Sequence, residues 1–458
     1  MRTEKDFLGQ VELPDEVYYG VQTARAVENF RISGKRPHPA FVEACVRIKR
    51  AAAKANAELG AIDRRVADAI VAAADEVLAG ALREQFVVDV FQAGAGTSHH
   101  MNVNEVLANR AIEILGGRKG DYHLVHPNDQ VNYGQSTNDV IPTAIRLAAL
   151  GRLPALLGAL DGLAGALEAK AREFAEVPKS GRTHLQDAVP ILLGSEFGAY
   201  ARTVRDGRAE IERSAQALHV LGIGGTAAGT GLTSKPGFRR RVCELLAEDT
   251  ALPLVPAEDL FEAMQSMRPF AAISGAIREM ALELTRIAND VRLLSSGPRT
   301  GLSEINLPAV QPGSSIMPGK VNPVMAEALN MVCYHVIGRD QALALAAQAG
   351  QMELNVMMPQ IAHEILEEID ILAGGVRQFT ERCVKGITAN AERLRAYLES
   401  SVGLATVLKP IIGYAAASEV AQSAQSTGRT IRQEVVERGL MSAEEFDGLV
   451  DRASRPID

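Results

Sequence analysis

A segment of eleven residues, 313–323, concentrates side chains that can bind and react with a small anion. It reads GSSIMPGKVNP and supplies two hydroxyls, one ammonium group and one amide, from Ser314, Ser315, Lys320 and Asn322. The amide and the proline after it are typical of the cap and first turn of a helix, whose free N–H groups would add positive potential. The glycines favour a loop that approaches a ligand closely. The segment predicts a site for a carboxylate or a phosphate, and a plain glycine-proline turn capped by Asn322 is the alternative.

Three other segments carry short polar side chains where helices are expected to begin or meet. Residues 91–104 read FQAGAGTSHHMNVN, residues 135–139 read QSTND and residues 181–187 read GRTHLQD. Their candidate binding residues are Thr97, Ser98, Ser136, Thr137, Asn138, Thr183 and His184. A helix start needs one cap, so three polar residues in succession favour a cradle for an anion or an amine, with capping alone as the alternative. A histidine beside a threonine in a polar loop is a candidate for acid–base work, although lone histidines are most often structural.

Two patterns suggest a metal or a cofactor, but the residues around them do not support either site. His123 and His126 have a ligand-like spacing, but the turn around them offers no cysteine and no paired acid to complete a ligand set. The glycine-rich segment 222–231, GIGGTAAGTG, follows a helical pattern and not a β-strand, so it does not predict a dinucleotide-binding loop. We expect no metal and no cofactor, and we interpret residues 222–231 as a tight connection between helices.

The segment 313–323 resembles the signature loop of the fumarase/aspartase superfamily. Members of this family are homotetrameric lyases that eliminate across the Cα–Cβ bond of a succinyl group and release fumarate. The resemblance runs from about residue 4 to about residue 451 and includes QSTND, GRTHLQD and HPND at 126–129. His100 departs from it, because the family usually has asparagine at this position.

The resemblance implies a role for each candidate residue. The first serine of GSS, Ser314, would be the base that removes the Cβ proton, and Lys320 and His184 would assist it as catalytic residues. The β-carboxylate would be bound by Thr97, Ser136, Thr137 and Ser315, and the α-carboxylate by Lys320 and Asn322. The departing amine or hydroxyl would meet Asn138, Thr183 and His184. A secondary dicarboxylate site would consist of His126, Asn128 and Asp129. Three subunits would contribute to each site.

Elimination explains why short hydrogen-bond donors would gather in one pocket. Loss of the Cβ proton turns the neighbouring carboxylate into a dianionic aci-carboxylate. The barrier falls only where donors already surround those oxygens. Serine and threonine hydroxyls, asparagine amides and helix N-termini supply such donors, so the residue types fit the implied reaction.

Five segments resemble the aspartase branch of the family more than the fumarase branch. They are YYG at 18–20, GTS at 96–98, QSTND at 135–139, LSSGPR at 294–299 and GITAN at 386–390. We therefore interpret the reaction as reversible elimination of ammonia from L-aspartate to give fumarate. Elimination of water from L-malate is the alternative. A structural protein on a lyase fold, as some lens crystallins are, is a further alternative that the complete loop 313–323 weighs against.

Long apolar repeats indicate the elements that must hold these residues. One heptad seam has steps of four and three residues and consists of Ile273, Ile277, Met280, Leu284, Ile287, Val291 and Leu294. Similar patterns occupy 322–348 and 355–383. Together with the resemblance they predict a mainly α, three-domain lyase fold whose central long-helix bundle assembles into a homotetrameric core, with the seam packed against other subunits. The expected domains are an N-terminal mostly helical domain at 1–136, the bundle at 137–388 and a small helical domain at 389–458.

Composition limits the partners. A net charge of −8 with 47% hydrophobic and 23% charged residues is ordinary for a soluble protein and argues against nucleic acid as a partner. Four cysteines stand singly, which favours reduced, packed thiols. No run of membrane-spanning length lacks a charge, and the first residues lack the apolar core of a signal peptide. We expect a cytoplasmic protein whose partners are a small dicarboxylate and copies of itself, without a membrane.

Overall fold

The computed structural model describes residues 1–455, most of which form helices. The helices are α1 Val21–Asn29, α2 Pro39–Glu58, α3 Arg64–Leu78, α4 Thr97–Ile114, α5 Thr137–Glu173, α6 Leu193–Ala215, α7 Phe238–Thr250, α8 Leu260–Gln265, α9 Arg268–Leu294, α10 Val324–Gln348, α11 Met358–Arg382, α12 Ala391–Ser400, α13 Lys409–Ile412, α14 Tyr414–Thr427, α15 Ile431–Glu437 and α16 Ala443–Ala453. The strands are β1 Arg2–Asp6, β2 Gly9–Leu13, β3 Pro178–Thr183, β4 Gln186–Leu192, β5 Val220–Leu221, β6 Val255–Pro256, β7 Ile305–Asn306 and β8 Thr388–Ala389, paired two by two in chain order. The prediction of a mainly α chain is confirmed.

Side chains in the sequence explain where several helices begin. Asp63 accepts hydrogen bonds from the first N–H groups of α3, and His38 does the same for α2, whose first residue is Pro39. In α15 and α16 a hydroxyl and an acid or amide three residues later form capping boxes. These caps satisfy N–H groups that have no partner within the helix.

One compact unit contains residues 1–157, 209–279 and 335–372. Helices α2, α3 and α4 pack against one another in it, and the buried faces of α2 and α3 are rich in alanine. The buried carboxylate of Glu105 on α4 accepts hydrogen bonds from the N–H groups of Gly20, Gln22 and Thr23 at 2.8–3.1 Å, so it anchors the start of α1. This unit carries the start of α5 and the loop before α4.

A second compact unit contains residues 158–208, 280–334 and those that follow 372. It includes the β3–β4 hairpin, the loop 313–323 and, in the C-terminal part of the chain, a core of its own. Eleven residues form that core: Leu398, Leu404, Ala405, Val407, Leu408, Ala417, Val420, Ala424, Ile431, Val435 and Phe446. The division into three domains at 136 and 388 stays a prediction.

The heptad seam of α9 lies inside the chain. All seven of its residues are buried, with at most 6% of their surface exposed, before any other subunit is considered. The prediction that this seam packs against other subunits is therefore wrong. A heptad stripe indicates that a helix needs an apolar neighbour, and it does not tell whether the neighbour belongs to the same chain.

Helix α5 is long and apolar enough to cross a membrane by length and composition. However, 72% of its most apolar window is buried inside the protein. The core helix of a soluble protein passes the same test, so we assign α5 to the core.

Candidate functional site

The loop 313–323 is closed by its own hydrogen bonds. The N–H of Gly313 donates to the carbonyl of Lys320 at 2.7 Å, and the side-chain amide of Asn322 donates to the carbonyl of Gly313 at 2.7 Å. A Cβ at residue 313 would lie 2.7 Å from that lysine carbonyl, so only glycine permits this closure. Helix α10 then begins at Val324, as expected. The side-chain amide of Asn322, which was expected to cap this helix, is hydrogen-bonded across the loop.

Within the loop, the hydroxyl oxygen of Ser314 is held by the backbone. It accepts hydrogen bonds from the N–H groups of Ile316 at 3.2 Å and Met317 at 2.9 Å. Two such donors stabilise negative charge on this oxygen, because hydrogen bonds to the charged form favour it. Ser314 is half-buried, whereas Ser315 and Lys320 are exposed and open to a ligand.

Thr183 and His184 lie at the tip of a β-hairpin, where a polar loop was expected. Thr183 ends β3, and His184 and Leu185 form the turn with φ angles of 54° and 59°. This left-handed backbone is uncommon outside glycine and requires support from its surroundings. Pairing of β3 with β4 supplies that support and presents both candidate side chains to solvent.

Beneath the hairpin lies a buried ion cluster. The fully buried carboxylate of Glu304 is 2.8 Å from Lys179 Nζ and 2.6 Å from an Arg182 guanidinium nitrogen. Two cations on one buried carboxylate compensate for its desolvation. The cluster therefore fixes β3 immediately before Thr183.

Ser136 and Asp139 cap the start of α5. Ser136 accepts a hydrogen bond from the N–H of Asn138 at 3.2 Å, and its own N–H donates to Asp139 Oδ1 at 2.9 Å. Capping, which was the alternative interpretation for this segment, is thus one real task of Ser136. The half-buried Ser136 and Asn138 remain at the free end of the helix.

Asp139 also docks the glycine-rich segment 222–231 onto α5. Its Oδ2 accepts from the N–H groups of Gly224 at 2.9 Å and Thr226 at 3.0 Å, and the amide of Asn138 donates to the carbonyl of Ala227 at 2.8 Å. Burial raises the pKa of Asp139 to about 6, against the effect of these donors. The segment closes around the start of α5. It follows the short strand β5, which pairs in parallel with β6, so the expectation that it follows a helix and not a strand is wrong.

Thr97 and Thr137 begin α4 and α5. Gly96, with φ of 89°, precedes Thr97, and a Cβ there would lie 3.2 Å from Ile141 of α5, so the two helix starts approach closely. Thr137 Oγ1 lies 2.8 Å from His100 Nδ1. Thr97 is exposed and Thr137 is half-buried.

The HPND segment forms a turn of π-helix at Pro127–Val131. His126 Nδ1 accepts from the N–H groups of Asn128 and Asp129, each at 3.2 Å, and so caps the turn. Asn128 and Asp129 are exposed. The secondary dicarboxylate site stays a prediction.

The predicted residues fall into two groups, one in each unit. Thr97, Ser136, Thr137 and Asn138 belong to the first unit, and Thr183, His184, Ser314, Ser315, Lys320 and Asn322 belong to the second. Across residues 1–455, no group of three or more histidine, cysteine and acidic side chains is arranged to hold a metal ion.

Sequence reasoning missed two residues near the first group. Asp139 contacts Ser136, and Lys49 contacts His100, whose ring in turn contacts Thr137. Asp139 was visible as an acid three residues after a capping serine at a helix start. Lys49 is fully buried in α2, and its signal was a lysine within an otherwise alanine-rich apolar face. Neither signal identifies a site until the partners are known.

Known proteins resemble the chain over nearly its full length. A family model described as "Lyase" matches residues 9–338, and one described as "Fumarase C C-terminus" matches residues 404–454. The aspartate ammonia-lyase of Bacillus subtilis is 47% identical over 446 residues, which cover 97% of this chain and 94% of that protein. The aspartate ammonia-lyase of Pseudomonas fluorescens is 49% identical over 458 residues, with 99% and 95% covered.

Solved structures agree with this match. A "fumarate lyase:delta crystallin" from Brucella melitensis, bound to cobalt, has a TM-score of 0.97 and 48% identity, and the match covers 99% of this chain and 100% of that one. A recombinant class II fumarase from Schistosoma mansoni has a TM-score of 0.95 and 38% identity, with both chains fully covered. Motifs, fold and similarity agree, and the chain belongs to the fumarase/aspartase family of lyases.

Proposed function

We propose that the chain is an aspartate ammonia-lyase, which eliminates ammonia from L-aspartate reversibly and releases fumarate. The observation that carries the proposal is the identity of 47–49% to several bacterial aspartate ammonia-lyases over almost the whole chain. The class II fumarase is 38% identical, which makes the hydratase the weaker alternative.

Ser314 is the proposed base. The N–H groups of Ile316 and Met317 support this role, because they stabilise the alkoxide that the serine must become before it accepts the Cβ proton. Closure of the loop by Gly313 and Asn322 keeps that geometry. The exposed ammonium of Lys320 is proposed to bind the α-carboxylate.

The aci-carboxylate is proposed to bind where helices begin. Thr97, Ser136 and Thr137 lie at the starts of α4 and α5, where the helix dipoles add positive potential. Ser315 completes the proposed set. Asn138, Thr183 and His184 are proposed to meet the departing amine, with His184 as a proton donor or hydrogen-bond partner.

We also propose a homotetramer in which three subunits contribute to each site. Helix α10 supports self-association, because it exposes the large apolar side chains of Met331, Tyr334 and Leu345 on the single chain. A cytoplasmic location belongs to the same proposal, supported by the net charge of −8 and by the burial of α5.

Fumarate absorbance tests the proposal directly. We expect pure protein to release fumarate from L-aspartate and to do so far more slowly, if at all, from L-malate. The Ser314→Ala variant serves as the background for contaminating lyases. Release from L-malate with none from L-aspartate would establish the hydratase instead, and release from neither by a folded oligomer would favour the structural alternative.

A further inference from the structure

Lys49 lies fully buried in α2 with three hydrogen-bond partners. Its Nζ is 2.6 Å from His100 Nε2, 2.8 Å from Asn132 Oδ1 and 2.9 Å from Gln135 Oε1. An ammonium group has three N–H donors and no acceptor, so these three partners satisfy it completely. Such a full set is what a buried cation requires.

Two of the three partners have a fixed role. The amide nitrogen of Gln135 donates to two main-chain carbonyls at 3.1 and 3.2 Å, and that of Asn132 donates to the carbonyl of Gln135 at 3.3 Å. Both amide oxygens must therefore face Lys49 and accept from it. Only His100 can change between acceptor and donor.

His100 connects Lys49 to Thr137. Its ring is buried, and burial together with the nearby Lys49 charge holds the pKa of His100 well below its usual value, so the ring is neutral and carries one N–H. Nε2 faces Lys49, and Nδ1 lies 2.8 Å from Thr137 Oγ1. The position of that single proton therefore couples the lysine to the threonine hydroxyl.

The charge of Lys49 determines the direction of both hydrogen bonds. An ammonium at Nε2 requires the ring proton on Nδ1, which donates to Thr137 Oγ1 and leaves the Thr137 hydroxyl proton free for another acceptor. With a neutral amine, Nε2–H donates to the lone pair of Nζ, and Nδ1 accepts the Thr137 hydroxyl proton. In that second state Thr137 has no proton to give to a carboxylate.

We propose that Lys49 and His100 form a proton relay that decides whether Thr137 donates a hydrogen bond to the substrate carboxylate. The inference rests on the proposed function, in which Thr137 contacts the β-carboxylate. In the change of state, Lys49 gives a proton to Nε2, His100 gives its Nδ1 proton to Thr137 Oγ1, and the former Thr137 proton leaves to solvent in the site. One proton is released, and no other bond is made or broken.

The relay makes binding of a dicarboxylate depend on pH. Burial lowers the pKa of Lys49 to about 7, while Cys45 and Asp139 oppose the shift. The other titratable neighbour on α4 is His99, which burial keeps neutral. Below pH 7 the ammonium leaves the Thr137 proton free, so affinity is high. Above pH 7, Nδ1 of His100 accepts the Thr137 hydroxyl proton, so the affinity for the dicarboxylate falls.

Two substitutions at His100 cut different ends of the relay. The asparagine amide occupies the position of Nδ1, so His100→Asn keeps a partner for Thr137 and loses Lys49. The glutamine amide reaches the position of Nε2, so His100→Gln keeps a partner for Lys49 and loses Thr137. The buried neighbour His99, stacked on Phe41 with ring centroids 4.7 Å apart, offers the control substitution His99→Leu, which lies outside the relay.

The experiment measures succinate affinity by calorimetry on the intact protein from about pH 6 to about pH 8. We expect the wild-type Kd to rise about tenfold over this interval, with uptake of a proton on binding at the upper end. Both His100 variants should lose this dependence, and His99→Leu should keep it. His100→Gln should also bind more weakly than His100→Asn at every pH.

The outcomes separate the relay from the proposed function. A pH-independent wild-type Kd in a protein that converts L-aspartate would overturn the relay alone. A pH-dependent Kd that both His100 variants abolish, in a protein without lyase activity, would support the relay and refute the proposed function. Failure to bind succinate at any pH would overturn the relay. If a His100 variant does not fold, Thr137→Val replaces it, and a Kd that still depends on pH in that variant would also refute the relay.

Discussion

At the scale of single residues, the geometry of Ser314 matters more than its residue type. A serine hydroxyl is a weak base at neutral pH, and it becomes useful only where its anion is stabilised. The N–H groups of Ile316 and Met317 point at its oxygen, and a loop that cannot tolerate a Cβ at Gly313 holds them there. Donors placed before the reaction cost no reorganisation when charge develops.

Ser314→Ala should leave the protein folded and able to bind succinate while kcat falls by a factor of about a thousand or more. The reason is that alanine keeps the loop's backbone and removes only the proton acceptor. The measurement is fumarate release at saturating L-aspartate, with the exposed Ser400→Ala as a matched control that keeps wild-type kcat. A loss below about tenfold, roughly 1.4 kcal/mol of barrier, would show that another group is the base.

Lys320→Ala should raise KM for L-aspartate by about tenfold or more and lower kcat as well. The ammonium is proposed to bind the α-carboxylate in both ground and transition states, so its loss removes uniform binding, and part of the same attraction seats the loop. Lys320→Arg should recover little, because the guanidinium differs in length and donor geometry. Steady-state kinetics of both variants decide the matter, and a wild-type KM in Lys320→Ala would refute this role.

At the scale of elements, the starts of α4 and α5 hold one group of candidate residues, and the β3–β4 hairpin and the loop 313–323 hold the other. The starts of α5 and α10 could be predicted from sequence, because caps and early prolines act locally. The hairpin at Thr183 and His184 could not, since its turn depends on strand pairing and on buried Glu304, which comes from far along the chain. The contact of Lys49 with His100 likewise joins distant residues.

Gly313→Ala tests whether the closed loop is needed. The added methyl would lie 2.7 Å from the Lys320 carbonyl and 2.8 Å from the Asn322 N–H nitrogen, both backbone atoms that cannot move aside cheaply. We expect kcat to fall at least about tenfold with little change in Tm, because the loop is exposed and opens locally. Gly158→Ala, on α5 where nothing lies within 4 Å of the new Cβ, is the control for a glycine-to-alanine change. Wild-type kcat in Gly313→Ala would mean that closure is dispensable.

At the scale of the whole molecule, α10 carries the apolar surface that α9 was expected to provide. Met331, Tyr334, Gly338, Gln341 and Leu345 follow one another at steps of three and four residues, and all five are exposed on the single chain. They form a second heptad seam on the same helix that buries its other face. The sequence showed heptads in several helices, but only the burial of each face tells which seam stays exposed on the single chain.

The double variant Met331→Glu and Leu345→Glu should convert the proposed homotetramer into smaller species. Met331 is 67% exposed and Leu345 53% exposed on the single chain, and they lie two heptads apart on one stripe. If this stripe joins subunits, the two glutamates would bury charges without partners at the interface. Activity should disappear with assembly, because each site is proposed to need three subunits, while circular dichroism should still show a helical fold. Light scattering measures the mass, and Phe7→Glu, at an exposed apolar residue in the turn between β1 and β2, should leave both mass and activity unchanged. An active wild-type monomer, or a double variant with unchanged mass, would show that the exposed stripe does not join subunits.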